Sequence, residues 1–312
     1  MSAEPTARRP TWDCSGRERD IAYWIAGASV RQQAPLLLLH GFAGTHATWS
    51  ATADRFGEQR RIIAPDLPGH GQSSCAHEDC TFESAATGLD AILDACSITA
   101  ATVVGYSMGG RLALYYALTR PGRTAALILE SASPGLESEA ERSQRRDADE
   151  RLAVLAEQDG LERFVDRWEK TPVIQPVRVL TDSARSAHRA MRMSGSAAGL
   201  AASLRGMGTG AMPWLGDSVA MIECPVLLIT GAGDTKFTAL ARTMSAALPD
   251  ARRATVADCG HHVHLEAPDE YATLLARFFA EIDAKVATKV ETDVDAACAD
   301  DQSSGRHQPR RM

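Results

Sequence analysis

The sequence predicts an α/β fold in which a mainly parallel sheet is flanked by helices. Short apolar runs bounded by Gly and Pro alternate with helix-length segments, a pattern typical of parallel strands joined by helical crossovers. The alternation stops after Ser133 and resumes with CPVLLIT, which indicates a helical insertion between two strands. With 312 residues, 45% of them apolar, the chain can bury the core that such a fold requires.

The candidate strands share an apolar, often β-branched run that ends near Gly or Pro. In chain order they are IAYWIAG, PLLLLHGF, RIIAPDLPG, ATVVGYS, AALILESAS and PVLLITGAGD, with one more strand-like segment just before Gly260. We predict a core at 18–133 and 213–283, with a helical lid at 134–212. The polar ends of the chain, 1–17 and 284–312, are predicted to be flexible tails.

Composition excludes several classes of partner. A net charge of −7 and a pI near 5.7 argue against a nucleic-acid or anionic-membrane surface. The first residues lack an apolar signal region and no apolar stretch is long enough to span a bilayer, so we expect a cytoplasmic protein. The seven cysteines lack C-x-x-C spacing and are expected to be reduced thiols. The oligomeric state stays open.

A serine between two glycines marks the first candidate for chemistry. In TVVGYSMGGRLALYYAL, Gly105 and Gly109 flank Ser107 at a junction between an apolar strand and a helix-like segment. Glycines at these places permit a sharp turn with the serine hydroxyl at its apex. The five-residue pattern alone is equally compatible with an ordinary turn; the strand before it and the helix after it favour a nucleophile elbow.

A serine nucleophile or base needs an imidazole, and the imidazole needs a carboxylate. Asp234 follows the strand PVLLITGAGD, and His261 follows Gly260 beyond the next strand-like segment. The order Ser, Asp, His is the one that α/β-hydrolases use. Asp258 is the alternative acid, although it lies on the same loop as the histidine. His262 and His264 are the alternative histidines, and one or both are expected to be helix-capping or surface residues.

Charge stabilisation requires amide donors close to the serine. The run LLLLHGFAGTHATW places Phe42 directly after a buried strand, where its N–H and that of Met108 could form an oxyanion hole. A plain strand-to-loop turn is the alternative. His70 in APDLPGHGQSS has no second ligand at helical or hairpin spacing, so we predict no metal, and no cofactor is expected.

Several motifs together are similar to a known family. They are LLLLHGFAGTHATW, IIAPDLPGHGQSS, GYSMGGRLAL, LILESASPGLE, CPVLLITGAGDTKF and GHHVHLEAPDEY. On these motifs, from about Ile21 to Ala280, the chain resembles the α/β-hydrolase superfamily. More narrowly it resembles the 2-succinyl-6-hydroxy-2,4-cyclohexadiene-1-carboxylate synthases of menaquinone biosynthesis. The narrower markers are GYSMGGR, SASPGL, GDTKF and the lid end GTGAMP.

The resemblance implies an α/β-hydrolase fold and a lyase rather than a hydrolase. In that family the serine, activated by the histidine, removes a proton from a succinyl-bearing cyclohexene carboxylate, and pyruvate is expelled from its enolpyruvyl ether. Ser107 would then act as base, His261 would accept the proton and Asp234 would orient the imidazole. The partner would be a small polyanionic carboxylate.

A polyanionic substrate needs cations near the serine, and Arg binds carboxylates through a planar fork. Arg111 lies one helical turn after Ser107, within reach of a bound anion. The resemblance adds Tyr106 beside the serine and three residues of the lid, which are Arg145, Trp168 and Arg192. For the lid residues, solvated surface charges or a lid-packing aromatic are the alternatives.

Two departures and two other functions stay open. Met212 stands where the family often has glutamine, and His262 stands where it usually has a small residue. A serine hydrolase, either an esterase or a C–C bond hydrolase of dienoic keto acids, would share every catalytic residue. A non-catalytic ligand receptor of the same fold could also retain the three residues, because fold alone does not settle function.

Overall fold

The computed structural model describes residues 6–8, 11–14, 17–27 and 33–285. The strands occur in two sheets, and their bounds in chain order are β1 Thr6–Arg8, β2 Thr11–Cys14, β3 Arg17–Asp20, β4 Tyr23–Ala26, β5 Leu36–Leu39, β6 Ile62–Pro65, β7 Ala101–Tyr106, β8 Thr124–Glu130, β9 Val226–Gly231 and β10 Ala251–Val256. The helices are α1 Ser50–Phe56, α2 Phe82–Ala95, α3 Met108–Thr119, α4 Glu139–Trp168, α5 Asp182–Met193, α6 Ala197–Met207, α7 Thr235–Ala247 and α8 Val263–Glu266.

The main sheet has eight strands in the order β1-β4-β6-β5-β7-β8-β9-β10. Pairing is parallel from β6 through β10, and β4 pairs antiparallel with both β6 and β1. The central strands β5 and β7 are buried at every position, as expected where helices cover a parallel sheet. The mainly parallel sheet that the sequence predicts is therefore confirmed.

The carboxyl ends of β5, β7 and β9 position the residues predicted to carry chemistry. Helix α3 starts directly after β7 and packs against β5, β7 and β8. Helix α7 starts after the loop that follows β9 and packs against β9 and β10. In open α/β sheets ligands collect beyond these strand ends, so the topology brings the candidate residues to one edge.

The insertion between β8 and β9 consists mainly of helices. It contains α4, α5 and α6, and α4 bends at Gly160, where φ is +82°. Ser138 and Glu141 form a capping box at the start of α4, which satisfies two backbone N–H groups. Helices α4 and α6 pack together through their own apolar cluster, which includes Phe164 and Leu204 and also contacts Ala43 after β5.

The N-terminal residues differ in part from the predicted flexible tail at 1–17. Thr6–Arg8 adds an antiparallel strand beside β4, and β2 and β3 form a separate two-stranded sheet. Edge pairing uses backbone groups alone, so it needs no apolar pattern in the sequence. The rest of that segment, 1–5, 9–10 and 15–16, lies outside the described residues.

The chain forms two compact units, Met1–Ala272 and Thr273–Met312. The described part of the second unit, 273–285, is helical. Most of the predicted tail at 284–312 lies outside the described residues. Within the described part of the chain, every helix is too short or too polar to cross a bilayer, and the cytoplasmic location stays a prediction.

Candidate functional site

Ser107 occupies a strained turn between β7 and α3. Its φ and ψ are +52° and −108°, a conformation that non-glycine residues rarely adopt and that is found where surrounding structure enforces it. The neighbouring glycines permit this path, because a Cβ on Gly105 would lie 2.4 Å from the Gly109 carbonyl oxygen. A Cβ on Gly109 would lie 2.2 Å from the Leu39 carbonyl oxygen. The turn therefore needs both glycines.

Ser107, His261 and Asp234 form a continuous chain of hydrogen bonds. His261 Nε2 lies 2.9 Å from Ser107 Oγ, and His261 Nδ1 lies 2.6 Å from Asp234 Oδ2. Asp234 and His261 are 8% and 4% exposed, whereas Ser107 is half-buried. Water therefore competes little for the imidazole, and the hydroxyl still reaches the cavity described below.

The alternative acid and histidines lie elsewhere. Asp258 is exposed and has a φ of +49°, and its backbone carbonyl accepts a hydrogen bond from Arg178. His264 is bonded through Nδ1 to the fully buried Glu130 at 2.8 Å. His262 precedes α8 but makes no capping hydrogen bond with its side chain.

The expectation that His262 and His264 are surface or helix-capping residues is wrong. Their exposed fractions are only 3% and 8%. The rings of both residues pack against Tyr106, with centroids 5.5 and 4.7 Å from it. The loop after β10 turns inward at the nucleophile elbow, and this packing buries both histidines.

The predicted oxyanion-hole donors are the amides of Phe42 and Met108. Both residues line the same cavity as Ser107, and within the described residues neither amide donates an intramolecular hydrogen bond. His40 holds the loop that carries Phe42: its Nδ1 donates to the Gly41 carbonyl at 2.8 Å, and its Nε2 accepts from the Leu67 amide at 2.8 Å. Burial lowers the pKa of His40 to about 4, which keeps this ring neutral and able to accept.

A cavity of about 210 Å³ opens onto the Ser107 hydroxyl. Its wall combines residues of the strand ends with residues of the insertion. Four cationic side chains line it, namely Arg111, Arg145, Arg192 and Lys236, and none of its described lining residues is acidic. The cavity is therefore suited to a ligand with more than one negative charge.

The four cations differ in how they are held. Arg111 donates from a guanidinium nitrogen to the Met207 carbonyl at 2.9 Å, and burial together with nearby Arg145 lowers its pKa to about 10, so it stays charged at neutral pH. Arg145 pairs with Asp149 at 2.9 Å. Arg192, only 8% exposed, pairs with Glu169 at 3.0 Å.

Two aromatic residues complete the predicted set. Tyr106 lines the cavity with its ring edge-on to His261 at 5.5 Å, and burial raises the pKa of its phenol well above the usual range. Trp168 lines the opposite wall, 4.9 Å from the ring of Phe42. The Trp168 indole N–H is buried without an acceptor among the described residues, so a ligand could satisfy it. The structure thus brings every predicted site residue to the wall of one cavity except Asp234, which is hydrogen-bonded to His261.

Two ionisable residues of the cavity wall, Lys236 and His188, were not considered from the sequence. Lys236 is the second residue of α7, two positions after Asp234, and its ammonium lies 5.8 Å from the centroid of the Phe237 ring. His188 projects from α5 and lies edge-on to His262 at 5.7 Å. The spacing of Lys236 after the acid was the available signal, whereas nothing in the helical pattern of α5 singles out His188.

The described residues contain no cluster of three or more His, Cys, Asp or Glu side chains arranged to hold a metal ion. His70, the residue considered for such a site, is buried and bonded through Nδ1 to the Pro68 carbonyl at 3.0 Å. Its pKa is lowered to about 3 by burial. Its bonding is that of a structural side chain.

The chain is similar to known proteins along most of its length. The profile of the alpha/beta hydrolase fold family matches residues 34–268. A Bacillus subtilis (strain 168) protein, provisionally named 2-succinyl-6-hydroxy-2,4-cyclohexadiene-1-carboxylate synthase, is 36% identical over 84% of this chain and 96% of its own length. The synthase of that name from Salmonella typhimurium is 32% identical over 78% of this chain and 92% of its own length.

Solved structures agree with these sequence relatives. The structure of MenH from S. aureus matches with a TM-score of 0.79 and 36% identity, and covers 83% of this chain and 98% of its own. A thermophilic esterase from Thermogutta terrifontis matches with a TM-score of 0.74, but at 23% identity it shows the fold alone. This chain belongs to the α/β-hydrolase family and, within it, to the family of the 2-succinyl-6-hydroxy-2,4-cyclohexadiene-1-carboxylate synthases.

Proposed function

We propose that this chain converts 2-succinyl-5-enolpyruvyl-6-hydroxy-3-cyclohexene-1-carboxylate to 2-succinyl-6-hydroxy-2,4-cyclohexadiene-1-carboxylate and pyruvate, a step of menaquinone biosynthesis. The observation that carries the proposal is the wall of the cavity at Ser107. Its four cationic side chains face a serine hydroxyl with no acidic residue among the described lining. A substrate with several carboxylates gains from that wall, whereas a neutral ester would gain little.

The reaction is a proton abstraction followed by loss of a leaving group. The carbon that bears the succinyl group loses its proton to Ser107 Oγ, while His261 Nε2 takes the hydroxyl proton. The electrons of that C–H bond form a new ring double bond, the existing double bond shifts by one position, and the C–O bond to the enolpyruvyl group breaks. The departing enolate takes a proton on carbon and becomes pyruvate, and His261 releases the proton that it accepted, which restores the starting state. Water is not consumed.

Three parts of the site support this role for the chain's own residues. Asp234, bonded to Nδ1, fixes the imidazole so that Nε2 faces Ser107 and stabilises the imidazolium that forms. The Phe42 and Met108 amides would receive the negative charge that develops on the succinyl carbonyl oxygen. Removal of one such donor from an enzyme typically costs roughly a hundred- to a thousandfold in rate.

The cations and aromatics would bind the carboxylate arms. Arg111 and Lys236 form no ion pair among the described residues, so both are available to an anion. Arg145 and Arg192 are each held by one carboxylate and still reach the cavity. Tyr106 and Trp168 supply the sides of the cavity, and the indole N–H is a free donor.

Turnover of two substrate classes tests the proposal. The chain is incubated with the enolpyruvyl cyclohexene substrate while pyruvate release is followed by a coupled dehydrogenase, and p-nitrophenyl ester cleavage is measured in parallel. We expect rapid pyruvate release and little ester cleavage. Ester cleavage without pyruvate would establish a hydrolase instead. Tight binding of the substrate without either reaction would establish a receptor.

A further inference from the structure

A second cavity adjoins the one at Ser107. It measures about 530 Å³ and lies between the segment that leads into α5 and the loop that follows β10. Four residues line both cavities, namely Ile174, His188, Arg192 and His262. These shared side chains form the wall between the two spaces.

His188 and His262 are the central part of that wall. His262 comes from the loop next to His261 and is 3% exposed, and His188 comes from α5 of the insertion. Their rings meet edge-on at 5.7 Å, and His262 also lies 5.5 Å from the Tyr106 ring. The pair therefore spans from the sheet edge to the insertion and closes the end of the cavity at Ser107.

Among the described residues, neither ring forms an ion pair. Burial and the nearby charge of Arg192 lower the pKa of His188 to about 3, and burial with the neighbouring histidines lowers the pKa of His262 well below its usual value. Both rings are neutral at physiological pH. His262 Nδ1 has no hydrogen-bond partner among the described residues, so no directional bond at that atom holds the wall closed.

The apolar residues of the adjoining cavity are the part of its wall that a neutral arm of a bound molecule could contact. Its arginines are already paired with carboxylates, as Arg189 and Arg192 are with Glu169 and Arg178 is with Glu270. The rest of the wall includes the polar Gln175 and Ser186 and an apolar set, which consists of Ile174, Pro176, Val177, Val179, Leu180 and Leu265. This apolar set favours contact with an unbranched alkyl or acyl arm.

We propose that His188 and His262 form a specificity-determining partition, which limits the length of the apolar arm of any molecule bound at Ser107. The adjoining cavity is the space that a longer arm would occupy if the partition were opened. This proposal rests on Ser107 as the reactive residue of the proposed function, but not on the identity of the natural substrate.

Alkyl fluorophosphonates of two lengths test the partition. Ser107 Oγ attacks phosphorus, His261 takes the hydroxyl proton and fluoride leaves, so the labelling rate reports what fits beside the serine. The ratio of the octyl rate to the ethyl rate is measured in each variant, which cancels any general change in Ser107 reactivity. We expect a low ratio in the native chain and a ratio at least about tenfold higher in His262→Ala, equivalent to about 1.4 kcal/mol.

Two further variants sharpen the result. His188→Ala opens the partition from the insertion and should also raise the ratio. Leu265→Ala enlarges the adjoining cavity away from the partition and should leave the ratio unchanged. A native ratio near one, or an unchanged ratio in a His262→Ala protein that melts cooperatively, would overturn the proposal.

A binding measurement keeps the partition testable if Ser107 does not react. Butyrate and octanoate are titrated calorimetrically into the native chain and into His262→Ala. Opening the partition should tighten octanoate binding at least about tenfold and change butyrate binding little. Equal octanoate affinities would reject the partition whichever reaction the chain performs. Failure of labelling with retained selectivity in binding would instead count against the proposed role of Ser107.

Discussion

His261 Nε2 lies 2.9 Å from Ser107 Oγ although the two residues are 154 positions apart in the chain. The strained elbow after β7 presents the hydroxyl, and the loop after β10 presents the imidazole. A serine hydroxyl is a weak base by itself, so its usefulness depends on a proton acceptor at this distance.

The first prediction concerns the carboxylate behind the imidazole. Asp234→Asn preserves shape but favours the wrong imidazole tautomer, so we expect pyruvate release to slow by roughly a hundred- to ten-thousandfold, as in serine proteases. Asp258→Asn is the matched control, because it removes an exposed carboxylate from the neighbouring loop at a φ of +49° that Asn tolerates. Equal rates in the two variants would contradict the role of Asp234.

The second prediction concerns Arg111. A hydrogen bond to a charged group contributes about 1.5–3 kcal/mol, so Arg111→Ala should lower kcat/KM for the polyanionic substrate by roughly ten- to a hundredfold. Arg111→Lys keeps the charge without the planar fork, so its kcat/KM should lie between those of the native chain and Arg111→Ala. Arg120→Ala, which removes an arginine at the opposite end of α3 that pairs with Glu83 and Asp90 of α2, should change kcat/KM little.

An unchanged kcat/KM in Arg111→Ala would mean that Arg111 only supports the Met207 carbonyl. Thermal melting separates the two roles. A structural role lowers the melting temperature and leaves kcat/KM intact, whereas a binding role lowers kcat/KM at temperatures far below melting.

The third prediction follows from buried histidines. Burial lowers the pKa of His40 to about 4 and that of His70 to about 3, against an ordinary value of 6.5 in the unfolded chain. Below pH 6.5 the unfolded state therefore binds more protons, and folding stability falls as the pH is lowered. At pH 5 each such histidine costs about 2 kcal/mol of the free energy of unfolding.

Urea unfolding between pH 7.5 and 5 measures this loss. His70→Gln can keep the donor to the Pro68 carbonyl and removes one titrating group, so its stability should fall less steeply with pH than that of the native chain. Parallel curves for the two proteins would show that His70 does not contribute to the acid destabilisation.

The sequence was sufficient to predict those elements that a local pattern of glycines or apolar residues marks. Gly105 and Gly109 indicate a tight turn, in which a Cβ on either residue would lie against backbone atoms. The apolar runs indicate strands whose carboxyl ends meet at one edge of the sheet. Asp234 and His261 followed because each comes directly after such a run. The hydrogen bonds from Asp234 to His261 and from His261 to Ser107 are a consequence of the parallel topology.

Other features depend on packing that no local pattern encodes. Lys236 and His188 line the cavity because α7 and α5 pack beside it. The sequence of neither helix indicates which of its faces lines the cavity. The burial of His262 and His264 depends on Tyr106, which lies far away in the sequence. The strand at Thr6–Arg8 pairs through backbone groups, which leave no hydrophobic period to detect.

Pyruvate release by the native chain and by Ser107→Ala, measured side by side on the enolpyruvyl cyclohexene substrate, tests the account most directly. Triad members act as a unit, so the variant should be slower by roughly a thousandfold or more while its melting temperature stays close to that of the native chain. Ser245→Ala, which removes a hydroxyl of α7 that donates to the Arg242 carbonyl and does not line the cavity, should stay within a few-fold of the native rate. Near-native pyruvate release by a folded Ser107→Ala protein would contradict the central claim that this hydroxyl is the base.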